Sequence, residues 1–209
     1  VTEDFHRPTR FPTERFEAYQ GGDDPAEIMR VAHDSARALI DRAKHESDDA
    51  VIERLIAYTD TNGVDALAEL WARSSPTTLP GALWRIYLVR ALIRQDAAGV
   101  SQLFQRGTEV LRTIDAAVAG AAIPTGPAEI VALADEILRG AFRGDFAIAL
   151  DRAAAFCRVT GAGATSVADD QEGHNPERSS ELTRRALRLS TTAQELTACA
   201  RLWRSDSLE

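Results

Sequence analysis

GALWRIYLVRALIRQD, residues 81–96, is apolar almost all the way round a helix, yet it carries Arg85, Arg90 and Arg94. Apolar groups in every direction place such a helix in the middle of a helical bundle. Stepping by about 100° per residue from Leu83, Arg90 falls at about 340°, Arg94 at about 20° and Tyr87 at about 40°. Arg85 points the other way, between Leu92 and Val89. An arginine on a buried helix must be paired, because a stranded buried charge costs several kcal/mol. The stripe therefore predicts an ion-pair network with acids from neighbouring helices, or an anion pocket with Arg90 and Arg94 as forks and Tyr87 as a donor. Arg90 and Arg94 are expected to be more than half buried, with at least one on an acid from another helix.

Working outward, the hydrophobic period is helical throughout, and turn formers fall where helix caps belong. Asp24-Pro25-Ala26-Glu27 is a strong helix start, with an acidic cap, proline at the first position and an acid in the first turn. That helix runs to about Glu46 with Ile28, Val31, Ala32, Ala36, Leu39, Ile40 and Ala43 as its apolar stripe. Further helices are expected over 47–58, from Val64 through Trp71, and over 97–120 with Gly107 as a break. The Ile123-Pro124-Thr125-Gly126-Pro127 turn precedes a helical pair over 128–142 and 146–159. The fold class is all-α: a bundle of about seven to nine helices with a linked C-terminal helical element. The expected organisation is an N-terminal arm and short helix over 1–22, a bundle core over 23–160, a flexible linker over 161–179 and an amphipathic element over 180–209. The linker reading rests on GAGATSVADDQEGHNPER, residues 161–178, which has little apolar area to offset its ordering entropy.

In the last element Leu182, Ala186, Leu189, Ala193, Leu196, Ala200 and Trp203 step by four and three, a heptad seam. Leu182, Leu189, Leu196 and Trp203 are its candidate partner-binding residues. The seam docks either in cis on the bundle or in trans, as a homodimer through the C-terminal helix. Ser190-Thr191-Thr192, with Glu195 completing a capping box, predicts a break near residue 191.

Of 209 residues 44% are hydrophobic, which suffices for a sizeable core without disulfides or metal. The net charge of −8 argues against nucleic acid as a partner, since bulk attraction to phosphates is missing. The aromatic and arginine residues of the arm are offset by its own acids. The longest run without a charge, Ala116–Ala128, is broken by Pro124, Gly126 and Pro127, so no membrane span is expected. Cys157 and Cys199 form no CxxC, which suits a reduced, cytoplasmic protein. All but one of the 24 basic residues are arginine, the exception being Lys44, which together with abundant alanine suggests a GC-rich bacterial source.

No catalytic constellation stands out. TGAGATS, residues 160–166, follows a helix and lacks the Gly-Lys step of a phosphate loop. Asp34, Asp41 and His45 share one helical stripe and are reasonable metal ligands, but the stripe lies opposite the apolar face among Arg30, Arg37 and Lys44. His33-Asp34 resembles the HD dipeptide of all-helical metal phosphohydrolases, a resemblance of two residues in a chain of four histidines. The expected function is a non-catalytic helical protein, with regulation as one role open to it, that binds a protein partner through its C-terminal seam or a small anionic ligand through Tyr87, Arg90 and Arg94, and needs no cofactor. The alternative is an all-α metal-dependent hydrolase acting on a phosphorylated compound.

Overall fold

A computed structural model describes residues 24–45, 70–143 and 145–209. The arm over 1–22 and the helix expected over 47–58 lie outside the described residues. Seven helices occupy the described chain: α1 Pro25–His45, α2 Leu79–Gln95, α3 Ala97–Val110, α4 Asp115–Ala119, α5 Pro127–Arg143, α6 Phe146–Gln171 and α7 Pro176–Arg204. No strand occurs among the described residues. None of the described helices is long and apolar enough to cross a membrane.

The helix starts follow local chemistry. Asp24 accepts from the Ala26 amide at 3.0 Å, Asp96 from Gly99 at 2.9 Å, Asp145 from Ala147 at 2.8 Å and Asn175 from Arg178 at 3.1 Å. Each removes one of the unpaired amide donors that open a helix. Pro80 and Pro176 stand in the first turns of α2 and α7, where a missing N–H costs nothing. Gly120 closes α4 in the left-handed conformation, at φ 79°.

Helix α6 is the spine, packed against α2, α3, α4, α5 and α7. It buries Ala149, Leu150, Ala153, Phe156 and Val159, and Phe156 stacks on Phe104 of α3 with centroids 5.8 Å apart. Helix α2 lies between α1, α5 and α7 and buries Leu83, Ile86, Val89 and Ile93. Helix α1 contributes Ala32, Ala36 and Ile40 to the same core. Nearby, Trp71 donates through Nε1 to Ser35 Oγ at 3.1 Å, which satisfies the buried indole.

Three sequence expectations are corrected here. Gly107 does not break α3. Residues 161–171, expected as the start of a flexible linker, continue α6 as helix, and only 172–175 separate it from α7. Gly107 and Gly163 are the reason: they are where α3 and α6 cross. A Cβ on Gly163 would sit 1.8 Å from the Leu103 carbonyl oxygen, and one on Gly107 would sit 1.9 Å from that of Val159. The glycines that read as turn formers allow two backbones to touch, and the packing gained there outweighs their poor helix propensity. Thirdly, α7 runs unbroken through 190–192. Thr191 and Thr192 donate back to the Leu187 and Arg188 carbonyls at 3.1 and 2.9 Å, so their hydroxyls are satisfied within the helix rather than spent on a cap.

The boundary between a bundle ending at 160 and an appended C-terminal element also dissolves. Leu189, Ala193, Leu196, Cys199 and Ala200 belong to the same buried cluster as α2, α5 and α6. Even the tail after α7 is tied down, since Leu208 is buried and the Leu79 amide donates to the Glu209 carbonyl at 2.7 Å.

Candidate functional site

The arginine stripe of α2 meets α5. Arg90 donates through Nε to Asp135 Oδ1 at 2.8 Å, and Arg94 through Nη2 to Oδ1 and Oδ2 at 3.3 and 3.2 Å. The side chains of Arg90, Asp135 and Arg94 are 6%, 16% and 38% exposed. Both arginines are thus more than half buried and share an acid from another helix. Arg85, on the opposite face, pairs with Glu195 of α7. Tyr87 is sealed against Trp71, with ring centroids 6.1 Å apart. Burial pushes its phenol up to about 12, and the Arg90 charge offsets part of that rise. It therefore stays a neutral donor across the physiological range. The carboxylate that a ligand would have brought to this stripe is supplied by Asp135.

The other sequence candidates fare differently. Asp34 and Asp41 are exposed, and the His45 side chain lies outside the described residues. Among the described residues no three His, Cys, Asp or Glu side chains gather as a metal would require. Leu182, Leu189 and Leu196 are buried within the chain itself. Trp203 packs edge-on against Phe146 at 4.9 Å. The seam offered for a second chain is docked in cis, mainly on α6.

Both cysteines are buried and in no disulfide. Burial pushes the Cys157 thiol up to about 12 and that of Cys199 to about 11, with Arg158 and Arg85 respectively offsetting part of the rise. Neither is a thiolate at neutral pH, so neither is an activated nucleophile. A thiol reagent such as DTNB is expected to leave both unmodified in the folded protein and to titrate both in denaturant. Fast reaction of either in buffer would contradict their burial.

A feature invisible along the chain lies between the second half of α2 and the first half of α7. A cleft of about 500 Å³ opens there. Leu88, Val89 and Leu92 form its α2 wall, and Arg185, Arg188 and Leu189 its α7 wall. Gln95, Asp96, Glu181 and Thr192 complete the rim. The Arg185 side chain is only 15% exposed, and its nearest carboxylate oxygen, Asp96 Oδ2, is 3.9 Å from Nη1. That is too long for a hydrogen bond. Its Nε and Nη2 are sealed from solvent and have no hydrogen-bond partner among the described residues. Burial lowers the Arg185 pKa below the ordinary arginine value, and Asp96 draws it partly back up. Arginine keeps its proton at such sites, so the cleft wall carries a poorly solvated, poorly paired cation.

A second cleft of about 540 Å³ runs beside Gly161, Ala162 and Leu187. Its one arginine is already engaged, with Arg158 Nε donating to Asp115 at 2.8 Å and Nη1 to Thr197 at 3.2 Å. Burial raises the Asp115 pKa, but hydrogen bonds from Arg158 and Thr113 more than offset it and hold the carboxyl below its ordinary value. Arg185 differs in lacking such a hydrogen-bonded partner among the described residues. Sequence reading passed over it because Arg184, Arg185 and Arg188 look like a solvated basic face. Only the approach of α2, nearly a hundred residues away, desolvates one of the three. No protein-family model, no curated protein and no solved structure matches this chain.

Proposed function

We propose that this chain is a non-catalytic helical protein that binds a small anionic ligand in the cleft between α2 and α7. The observation that carries this reading is Arg185, a desolvated guanidinium whose Nε and Nη2 have no hydrogen-bond partner among the described residues, in the wall of a cleft large enough for a small molecule. A carboxylate or phosphate in the cleft would pair with the guanidinium at Nη1, the end that Asp96 approaches only to 3.9 Å, and give it a charge-assisted hydrogen bond that no described residue supplies. Of the residues first expected in this role, Arg90 and Arg94 already hold Asp135, and Tyr87 is packed against Trp71. The reading as a protein-binding seam loses its surface, because that seam packs against α6. What favours binding over bond-breaking is the set of polar groups round Arg185: among the described residues, two carboxylates, a second guanidinium, an amide and a hydroxyl, with no histidine or cysteine.

The test is thermal melting of the protein and of Arg185→Met with acetate or inorganic phosphate, at ionic strength matched by chloride. A ligand at a hundred times its Kd stabilises by about 2.7 kcal/mol. The anion should raise the Tm of the natural chain, and Arg185→Met should remove that rise. Without ligand the variant should be at least as stable, since an apolar chain of similar length replaces a poorly paired cation. Equal rises in both proteins would defeat the proposal.

A further inference from the structure

Anion binding by Arg185 leaves half of the cleft's chemistry unused. Two cations, Arg185 and Arg188, face two anions, Asp96 and Glu181. A plain anion would be attracted by the first pair and repelled by the second. Asp96 gives one oxygen, Oδ1, to the Gly99 amide at 2.9 Å, and its other oxygen faces Arg185 across 3.9 Å. Glu181 takes Arg178 on Oε2 at 2.7 Å and is otherwise largely exposed. Both carboxylates thus keep an oxygen with acceptor capacity at the cleft. Leu88 and Leu92 line the same cleft, and Leu88 is 45% exposed despite its size. Separated charges of both signs beside an apolar wall complement a ligand that carries both charges and an apolar group.

Resting on the anion site proposed above, we infer that the cleft takes an apolar zwitterion, a free α-amino acid with a branched aliphatic side chain. Its carboxylate meets Arg185, its ammonium meets Asp96 and Glu181, and its side chain lies on Leu88, Leu92 and Leu189. The ammonium also relieves the mismatch at Asp96, whose 3.9 Å separation from Arg185 satisfies neither group.

Three probes separate the parts: L-leucine, 4-methylpentanoate, which lacks the amine, and 3-methylbutylamine, which lacks the carboxylate. Each is titrated into the full chain and followed by calorimetry or amide chemical shifts. Leucine is expected to bind at least tenfold more tightly than either fragment. Asp96→Asn, which keeps a good helix cap for α3, should lower leucine affinity and, by removing one repelling charge, leave 4-methylpentanoate binding as tight or tighter, so that the two affinities converge. Arg185→Met should abolish binding of both. If 4-methylpentanoate binds as tightly as leucine in an Arg185-dependent way, the zwitterion inference falls and the anion site stands. If phosphate binds through Arg185 and leucine does not, the result is the same. If neither these probes nor acetate or phosphate binds, or if binding survives Arg185→Met, both readings fall.

Discussion

Gly163→Ala is expected to destabilise the protein by about 3 kcal/mol, lowering its Tm by roughly 10 °C. An alanine in a helix interior ordinarily stabilises relative to glycine by about 1 kcal/mol, so the sign itself is diagnostic. The new methyl would meet backbone on both nearby sides: the Leu103 carbonyl oxygen at 1.8 Å and the Gly107 nitrogen at 2.7 Å. Neither can turn aside as a flexible side chain would. Helices α3 and α6 must separate, and the stacked Phe104 and Phe156 separate with them. Gly140→Ala is the control. Among the described residues its methyl would find only Ala149 Cβ, at 3.7 Å, an ordinary contact, so this variant should gain stability by about 0.5–1 kcal/mol. Thermal melting of the two variants checks the crossing. A Gly163→Ala protein as stable as the natural chain would mean that α3 and α6 do not touch there.

The second large effect is at Asp135. Replacing it with alanine is expected to cost about 3 kcal/mol, because Arg90 cannot reach water when its carboxylate is removed. Arg94 contributes little to that figure, since its exposed end can be solvated, and Arg94→Ala alone should cost under about 1 kcal/mol. The pair is not strongly stabilising in its own right. Taking two charges out of water offsets most of their attraction, so the double variant Arg90→Met/Asp135→Leu should recover much of the loss. Denaturant unfolding of the single and double variants separates the two terms. If Asp135→Ala melts within a degree or two of the natural chain, Arg90 does not depend on that carboxylate.

Both positions bear on how far the chain could be read without coordinates. Residues 81–96 were legible because a helix that is apolar on nearly every side has only one stable environment, and its arginines then require acids. Which acid answers them was not legible. Thirty-two acids are available, and the choice of Asp135 for Arg90 and Glu195 for Arg85 follows from which faces of α5 and α7 pack against α2. The Arg185 cleft was hidden for the same reason. Desolvation belongs to the pair of helices, and a lone basic face on α7 carries no mark of it.

Local chemistry by itself determined the all-helical class, the start at Asp24-Pro25, the pairing of a helix over 128–142 with one from 146, and the buried faces of α2 and α7. Period and capping involve residues within a turn or two of each other, so the chain states them directly. Only the tertiary structure decided that 161–171 is helix, that α7 is unbroken and that its seam is covered in cis. Glycine, alanine, serine and threonine are ambiguous in isolation: the same small side chains that loosen an exposed segment let two backbones meet. Which outcome prevails depends on whether a partner helix arrives, and for Gly163 that partner is Leu103 on α3, sixty residues earlier in the chain.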